Sequence, residues 1–407
     1  MLTTAQISWL LYDAANAAHA LIVRTVFAPL CIKECSVGVV SAADATGSWG
    51  IVASISGIIA GVLSVGLGKF CDAHSCRKRL LAFFVLLGVL STWGFAFCRR
   101  GDYYSVLAIA FVSLGCYLCS NSLYDSLLLD VAPPEQRDKM SVTGYALGYI
   151  GGVIPFIVCI VLVKVMADTA LAMKLAFVIA GVWWLLLSLP LFIFVSEQKR
   201  RSSGRSMLTA LKEIWQNRNV RDFLIAYFLY IDGVGTIYLM ATPIAVDIGI
   251  SEAALLLTIL GLQFYAFPCT IIYGKLANRF GSVRMITVAI VCYTIASLLV
   301  GIMPFIDSKQ IKLILFVVLA VVIGSSQGGI QSLSRSFYSR LISQEKAAEY
   351  FGFYNFFGKF TTVVGPVLIF FMTKATGHSE FGILLLIIPF LFGGIMLNKV
   401  AKRAGGV

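Results

Sequence analysis

The chain is a succession of long apolar runs separated by short polar segments, and the length of those runs decides the class of protein. Stretches 46–68, 80–98, 103–124, 141–163, 175–196, 253–274, 285–306, 313–334 and 381–398 contain no Asp, Glu, Lys or Arg. Each holds roughly 20 residues, which at ~1.5 Å per residue is one helical crossing of a ~30 Å hydrocarbon layer. Stretches 7–30, 223–246 and 350–373 are of similar length but carry isolated charges. The pattern predicts an all-α membrane protein with about twelve transmembrane helices, because lipid offers the backbone no hydrogen-bond partner other than its own. The first run holds Asp13 and Arg24 and follows no basic segment, so no cleavable signal peptide is expected.

Composition agrees with a lipid solvent. Of 407 residues 59% are hydrophobic and only 13% charged, and the mean hydropathy is +0.90. A soluble chain of this length needs far more charged surface. The net charge of +12 suggests nucleic acid until the basic residues are placed. With both termini cytoplasmic, the cytoplasmic segments hold 22 Lys and Arg and the opposite face holds 8. That asymmetry is topological, so no nucleic-acid partner is expected. The ten cysteines show no metal-ligand spacing, and neither metal nor cofactor is expected. The longest polar stretch, 197–221, is rich in Lys and Arg. It reads as a basic linker on an anionic membrane face, dividing an N-terminal bundle, 1–196, from a C-terminal bundle, 222–407.

The two bundles share a sequence pattern. Gly68-Lys-Phe-Cys-Asp72, followed by Arg77, Lys78 and Arg79, is matched by Gly274-Lys-Leu-Ala-Asn278-Arg279-Phe-Gly281, followed by Arg284. A fixed offset of 210 pairs Ser122-Leu123 with Ser332-Leu333, Glu135 with Glu345 and Gly148 with Gly358. Leu11-Tyr12-Asp13 and Leu229-Tyr230-Ile-Asp232 place an acid similarly in the first and seventh spans. A repeat of this length predicts two pseudo-symmetric six-helix bundles.

The second loop resembles the signature of the major facilitator superfamily, Gly-x-x-x-Asp-Arg-x-Gly followed by basic residues. Trp9-x-x-Tyr-Asp-x-Ala-Asn16, Ala132-Pro-Pro-Glu-x-Arg137 and Gly144-Tyr-Ala-Leu-Gly-Tyr-x-Gly-Gly152 narrow the likeness. Ala226-Tyr-Phe-Leu-Tyr-x-Asp-Gly-Val234, Gln327-Gly-Gly-Ile-Gln-Ser-Leu-Ser-Arg335 and Gly352-Phe-Tyr-Asn-x-x-Gly-Lys-Phe360 do so further. Together they resemble the "unknown major facilitator" family, whose relatives include autophagy-linked vacuolar amino-acid effluxers. The resemblance covers nearly the whole chain and implies the major facilitator fold. Asn278 departs from the signature acid, as do Ala73, Ser75 and Cys76 in the first loop, where the family carries Arg, Gly and Arg.

Ionisable groups inside spans cost ~2.5–3.5 kcal/mol each and usually face a cavity or a partner. Asp13, Asn16, Ala20 and Arg24 follow at helical spacing, as though on one face. Asp13 can take an ammonium and Arg24 a carboxylate, but ~16 Å of helix separates them, so they are expected in different layers of a pathway. Asp232 adjoins Gly233-Val-Gly235, where a helix is locally weakened or closely packed. Asn121 joins this polar group. Gln327 with Gln331, and Asn355 with Lys359, lie one turn apart; each pair suits a polar solute or a neighbouring helix. At the expected cytoplasmic ends, the offset maps Asp125 onto Arg335 and Asp130 onto Arg340. These opposite signs at equivalent places are candidates for a gate, with Asp72 as a conformational latch.

These features predict a secondary transporter working by alternating access on a small polar solute, an amino acid or similar metabolite. Proton coupling through Asp13 and Asp232, or exchange with a counter-solute, would supply the energy, since no nucleotide-binding loop is present. A membrane-embedded lipid-handling protein or enzyme is the alternative, but histidines at 19, 74 and 378 form no catalytic cluster. The expected setting is a bacterial-type inner membrane, with lipid as surroundings and a monomer as the working unit.

Overall fold

The computed structural model describes residues 2–40, 42–198, 207–247, 252–376 and 380–403. The basic cluster of the expected linker, 199–206, and His378 lie outside them. The described chain is helical and contains no strand. Its main helices are α1 (Thr4–Cys35), α2 (Ala42–His74), α3 (Arg77–Gly94), α4 (Tyr103–Ser126), α5 (Arg137–Val165) and α6 (Thr169–Phe194). There follow α7 (Met207–Gln216), α8 (Arg218–Asp247), α9 (Glu252–Phe280), α10 (Ser282–Ile302), α11 (Lys309–Leu341), α12 (Ala347–Thr376) and α13 (Ile387–Arg403).

Among the described residues nine helices are long and apolar enough to cross a membrane. The helices α8, α9 and α12, of 30, 29 and 30 residues, are not among those nine. Large apolar side chains point outward all along the bundle: Leu90, Ile314 and Phe392 are each about 60% exposed. Water would not tolerate so extensive an apolar exterior, whereas lipid acyl chains solvate it. Prolines inside α5, α6 and α9 are likewise admissible in a membrane bundle, where neighbouring helices re-satisfy the freed backbone groups.

Helix ends follow local chemistry. Thr3 and Gln6 form a capping box at the start of α1. The Asp168 side chain accepts the Leu171 amide at 3.0 Å at the start of α6, and Ser308 caps α11 in the same manner. Gly281 separates α9 from α10 at φ +90°, a conformation that glycine adopts without a Cβ penalty. Within α1 the ladder changes at His19–Phe27, which is π-helical.

The described chain forms two compact units. The first comprises Met1–Pro133, Leu147–Gly204 and Gln344–Phe356; the second comprises Pro134–Ala146, Arg205–Ser343 and Phe357–Val407. Each unit thus includes the opening turns of a helix, α5 or α12, whose remainder belongs to the other. In the first unit α3 packs on α4, α1 on α6, α2 on α4 and α3 on α6. In the second, α10 packs on α11, α8 on α13, α9 on α11 and α10 on α13. The two sets correspond helix for helix.

Candidate functional site

In the first unit a polar and aromatic layer lies between α1 and α4. Trp9 donates from Nε1 to the Tyr124 carbonyl at 3.3 Å, and the Tyr124 hydroxyl donates back to the Trp9 carbonyl at 3.1 Å. Their rings stack, with centroids 4.6 Å apart. Two turns further along α1, Asn16 donates to Asn121, so the structure joins two of the residues singled out in the sequence. Next comes His19, fully enclosed, stacked on Tyr117 and hydrogen-bonded through Nε2 to Ser113 at 2.9 Å. Glycines let α5 lie against this part of α1. A Cβ on Gly151 would sit 2.3 Å from the Ala14 Cβ, and one on Gly152 would sit 3.0 Å from the Ala17 carbonyl oxygen.

Asp13 is half-buried in the same helix. Arg24 does not share its face in the way that α-helical spacing suggested. The π-helical ladder beginning at His19 adds residues to each turn and rotates Arg24 out of that register. Arg24 is exposed and, among the described residues, has no ion pair or hydrogen bond.

In the second unit Asp232 is 3% exposed, and one of its oxygens accepts the Gly365 amide at 3.3 Å. Among the described residues no cation pairs with it. Tyr230, two residues earlier, hydrogen-bonds Ser334 at 2.7 Å. Gln327 is half-buried, and its Oε1 has no partner among the described residues. Gln331 and Lys359 are also half-buried. Asn355 belongs to the first unit, where it donates to Asp125 at 3.2 Å. That contact brings a pathway candidate and a gate candidate together.

The charged groups at the helix ends form two networks. In the first unit Arg77 is buried and pairs with Asp130 at 2.9 Å and with Glu197 at 3.1 Å. The Glu197 carboxylate also accepts the backbone amides of Arg77 and Lys78, tying the start of α3 to the end of α4 and to the segment after α6. In the second unit Arg340 pairs with Asp138 at 2.7 Å, and Ser282 bonds both of them. Arg335 donates to the side chain and carbonyl of Ser141 and lies over the Tyr145 ring, 4.5 Å from its centroid. Sequence reading did not single out Glu197, Asp138, Ser141 or Ser282. Glu197 stood in the polar linker and Asp138 directly followed a motif, so each had a signal that went unused; the two serines had none.

The signature loops differ chemically. Asp72 is buried, and its two oxygens accept the amides of Ala348 at 3.3 Å and Glu349 at 2.9 Å, the first turn of α12. A carboxylate there satisfies free N–H groups and complements the helix dipole. Gly68 makes the approach possible, because a Cβ on it would lie 2.2 Å from the Ala348 oxygen. In the second unit Gly274 packs on the Val142 side chain of α5, where an added Cβ would lie 2.6 Å from its nearest atom. Asn278 there is exposed and has no hydrogen bond among the described residues. The buried Asp138 of that unit, carried on α5 itself, pairs with Arg340. Arg279 is exposed beside Phe280.

Among the described residues no cluster of three His, Cys, Asp or Glu side chains has metal-binding geometry.

The family described as "Vacuole effluxer Atg22 like" matches residues 33–134 and 129–405. The chain is 38% identical over 411 residues to the MFS-type transporter YxiO of Bacillus subtilis (strain 168), covering 97% of this chain and 94% of that protein. Autophagy-related protein 22 of Kluyveromyces lactis is 25% identical over 377 residues, covering 84% and 74%. Among solved structures, the human organic anion transporter MFSD10 superposes with a TM-score of 0.73 at 13% identity, covering 97% of this chain and 98% of that one. The proton:xylose symporter XylE gives 0.72 at 14% identity, covering 97% and 95%. The fold is therefore that of the major facilitator superfamily. The chain belongs to the Atg22-like vacuole effluxer family of major facilitator transporters, and it is a multi-pass membrane transporter rather than an enzyme.

Proposed function

We propose that the protein moves a small polar solute, an amino acid or similar metabolite, by proton-coupled alternating access. In this reading twelve helices, α1–α6 and α8–α13, cross a bacterial-type inner membrane with both termini cytoplasmic. The six-helix halves 1–196 and 222–407, joined by the linker 197–221, alternate about a solute near the membrane midplane. A monomer surrounded by lipid suffices for this cycle. The solute pathway would draw on Asp13, Asn16, Asn121, Asp232, Gln327, Gln331 and Lys359.

One observation carries the coupling: Asp232 is enclosed in the second unit, with one backbone amide as its hydrogen-bond donor and no cationic side chain paired to it among the described residues. A carboxylate so placed is costly to keep charged. It is stabilised by a proton in one conformation and can release it when another conformation admits water. In the first half Asp13 follows the matching Leu-Tyr step, one residue sooner than Asp232 does.

The test is uptake of labelled amino acids and small carboxylates into liposomes holding the purified protein, with and without an imposed pH gradient. Asp232→Asn should abolish accumulation driven by the gradient while leaving exchange of labelled for unlabelled solute. Normal gradient-driven accumulation by both Asp13→Asn and Asp232→Asn would remove proton coupling from this account.

A further inference from the structure

The turn between α2 and α3 brings two thiols together beside the carboxylate that clamps α12. Ser75 follows α2 at φ 49°, and beyond it the Cys76 amide reaches back to the Cys71 carbonyl at 3.4 Å. This is the long backbone bond of a Schellman ending, a geometry that lays the side chains of its first and last residues against each other. Here both residues are cysteines, and their thiols are in hydrogen-bonding contact. The offset of 206 that relates Gly68 to Gly274 places Ala277 and Ser282 at the equivalent positions of the second repeat. The thiol pair therefore belongs to the first loop alone. Cys76 is also one of the departures from the family signature, which carries Arg at that place.

Each thiol adjoins a contact already described. Asp72, next to Cys71, accepts the Ala348 and Glu349 amides at the start of α12. Arg77, next to Cys76, is buried and pairs with Asp130 and Glu197. Exposure divides the roles of the two thiols: Cys71 is fully enclosed, whereas Cys76 is half-buried. A small oxidant therefore meets Cys76 first. Burial raises the Cys76 thiol above its ordinary value, so little thiolate is present at neutral pH and its reactions are slow.

We infer that Cys71 and Cys76 form a reversible disulfide site, oxidised by a low-molecular-weight disulfide, and that the bond holds Asp72 in its clamp on α12. The Cys76 thiolate, its proton given to solvent, attacks one sulfur of the small disulfide and expels the other half as a thiolate, which takes up a proton. Cys71 then loses its proton and displaces the remaining half from Cys76. Two protein thiols thus give up two electrons and two protons, and the small disulfide becomes two thiols. The closed loop spans only residues 71–76, and a short loop contributes less stability than a long one, which suits a bond that is made and broken. Because Asp72 lies inside that loop, the cross-link restricts the segment that must move for the carboxylate to leave the Ala348 and Glu349 amides. In the topology proposed above the turn faces the cytoplasm, where thiols are held reduced, so the bond forms only under oxidising conditions.

The test uses the full-length protein in lipid nanodiscs, equilibrated in mixtures of reduced and oxidised glutathione, quenched in acid, alkylated and mapped by mass spectrometry. Oxidised glutathione should link Cys71 to Cys76, and dithiothreitol should reverse the link. Cys71→Ala should instead accumulate a glutathione adduct on Cys76, whereas Cys76→Ala should leave the enclosed Cys71 unmodified. Hydrogen exchange of the peptide 344–356 reads the clamp: it should be at least ~3-fold slower after oxidation, and unchanged by oxidation in Cys76→Ala. Two free thiols in the oxidised mixture would overturn the site, as would a stable adduct on Cys76 of the unaltered protein with no link to Cys71. A link that leaves exchange of 344–356 unaltered would overturn its action on Asp72. Protein quenched directly from unstressed cells should carry both thiols free, and a pair already linked there would overturn reversibility. Should either variant fail to fold, the map and exchange of the unaltered protein decide alone. None of these readouts needs a solute, so failure here leaves the transport reading standing, and failure of transport leaves the thiol site standing.

Discussion

Asp72 holds the amide of Glu349 at 2.9 Å across 277 residues of sequence, and the same carboxylate takes the neighbouring amide of Ala348. Asp72→Ala would leave two amides without an acceptor in a buried place. The expected loss is ~1–2 kcal/mol, read as a lowered melting temperature of the purified protein. Asp72→Asn should lose less, because it keeps an acceptor but not the charge. Asn278→Ala should change stability by no more than ~0.5 kcal/mol, as an exposed side chain without a partner does. Equal losses at 72 and 278 would contradict the asymmetry of the two loops.

Arg77 and Asp130 are both enclosed, their side chains 1% and 0% exposed. Removing one member of such a pair strands the other's charge and costs ~3–5 kcal/mol. Asp130→Ala or Arg77→Gln should therefore sharply reduce the folded yield. Replacing both by Met should recover most of it, as judged by size-exclusion profiles of matched preparations. Failure of the double replacement to improve on either single one would show that Glu197, rather than Asp130, dominates the site.

The fold was legible in the sequence because membrane crossing imposes one length on every helix and the duplicated pattern imposes one arrangement on both halves. The contact from Asp72 to a helix start could be anticipated, since an acid four residues after a glycine at a helix end suits that chemistry. The π-helical segment of α1 could not. Its residues are as apolar as those of an α-helix, and hydrophobicity does not report whether the ladder closes at i+4 or i+5. The partners of Arg77 and Arg340 were hidden for a different reason. The repeat pairs equivalent positions, whereas Glu197 and Asp138 are acids that only one half possesses at the place concerned.

Ser75 adopts φ 49° between α2 and α3, where the other repeat has Gly281 at φ +90°. A side chain in the left-handed region costs roughly 1 kcal/mol relative to glycine. Ser75→Gly is expected to raise stability by up to ~1 kcal/mol, and Gly281→Ala to lower it by about as much. Thermal unfolding of the two variants beside the parent protein checks both signs. A drop on Ser75→Gly would mean that the serine hydroxyl contributes more than the strain costs.

Asp222 precedes the apolar run of α8 and is held by Arg403 and Arg221. Partial burial pushes its carboxyl up, but the hydrogen bonds from Arg403 and Arg221 outweigh it and hold the group below its ordinary value of 3.8. A lowered value in the folded state means that the stabilisation is present above that ordinary value and disappears as pH falls through the folded one. Because Arg403 is 40% exposed, the contribution is small, ~0.2–1 kcal/mol. Asp222→Asn should be slightly less stable than the parent at pH 7, and the difference should shrink between pH 5 and pH 3. A gap that widens on acidification would reverse the assignment.

The exchange of opening turns between α5 and α12 also constrains how the chain is made. The first unit needs Gln344–Phe356, and the second needs Pro134–Ala146. A ribosome delivers the N-terminal helices first, yet their Asp72 carboxylate and the Gly68 surface must wait about 280 residues for their partner to emerge, an interval of tens of seconds at ~5–20 residues per second. Until then the early bundle is an unfinished intermediate, a natural client for insertion chaperones. The gene split in the linker should accordingly yield two fragments that survive only when produced together.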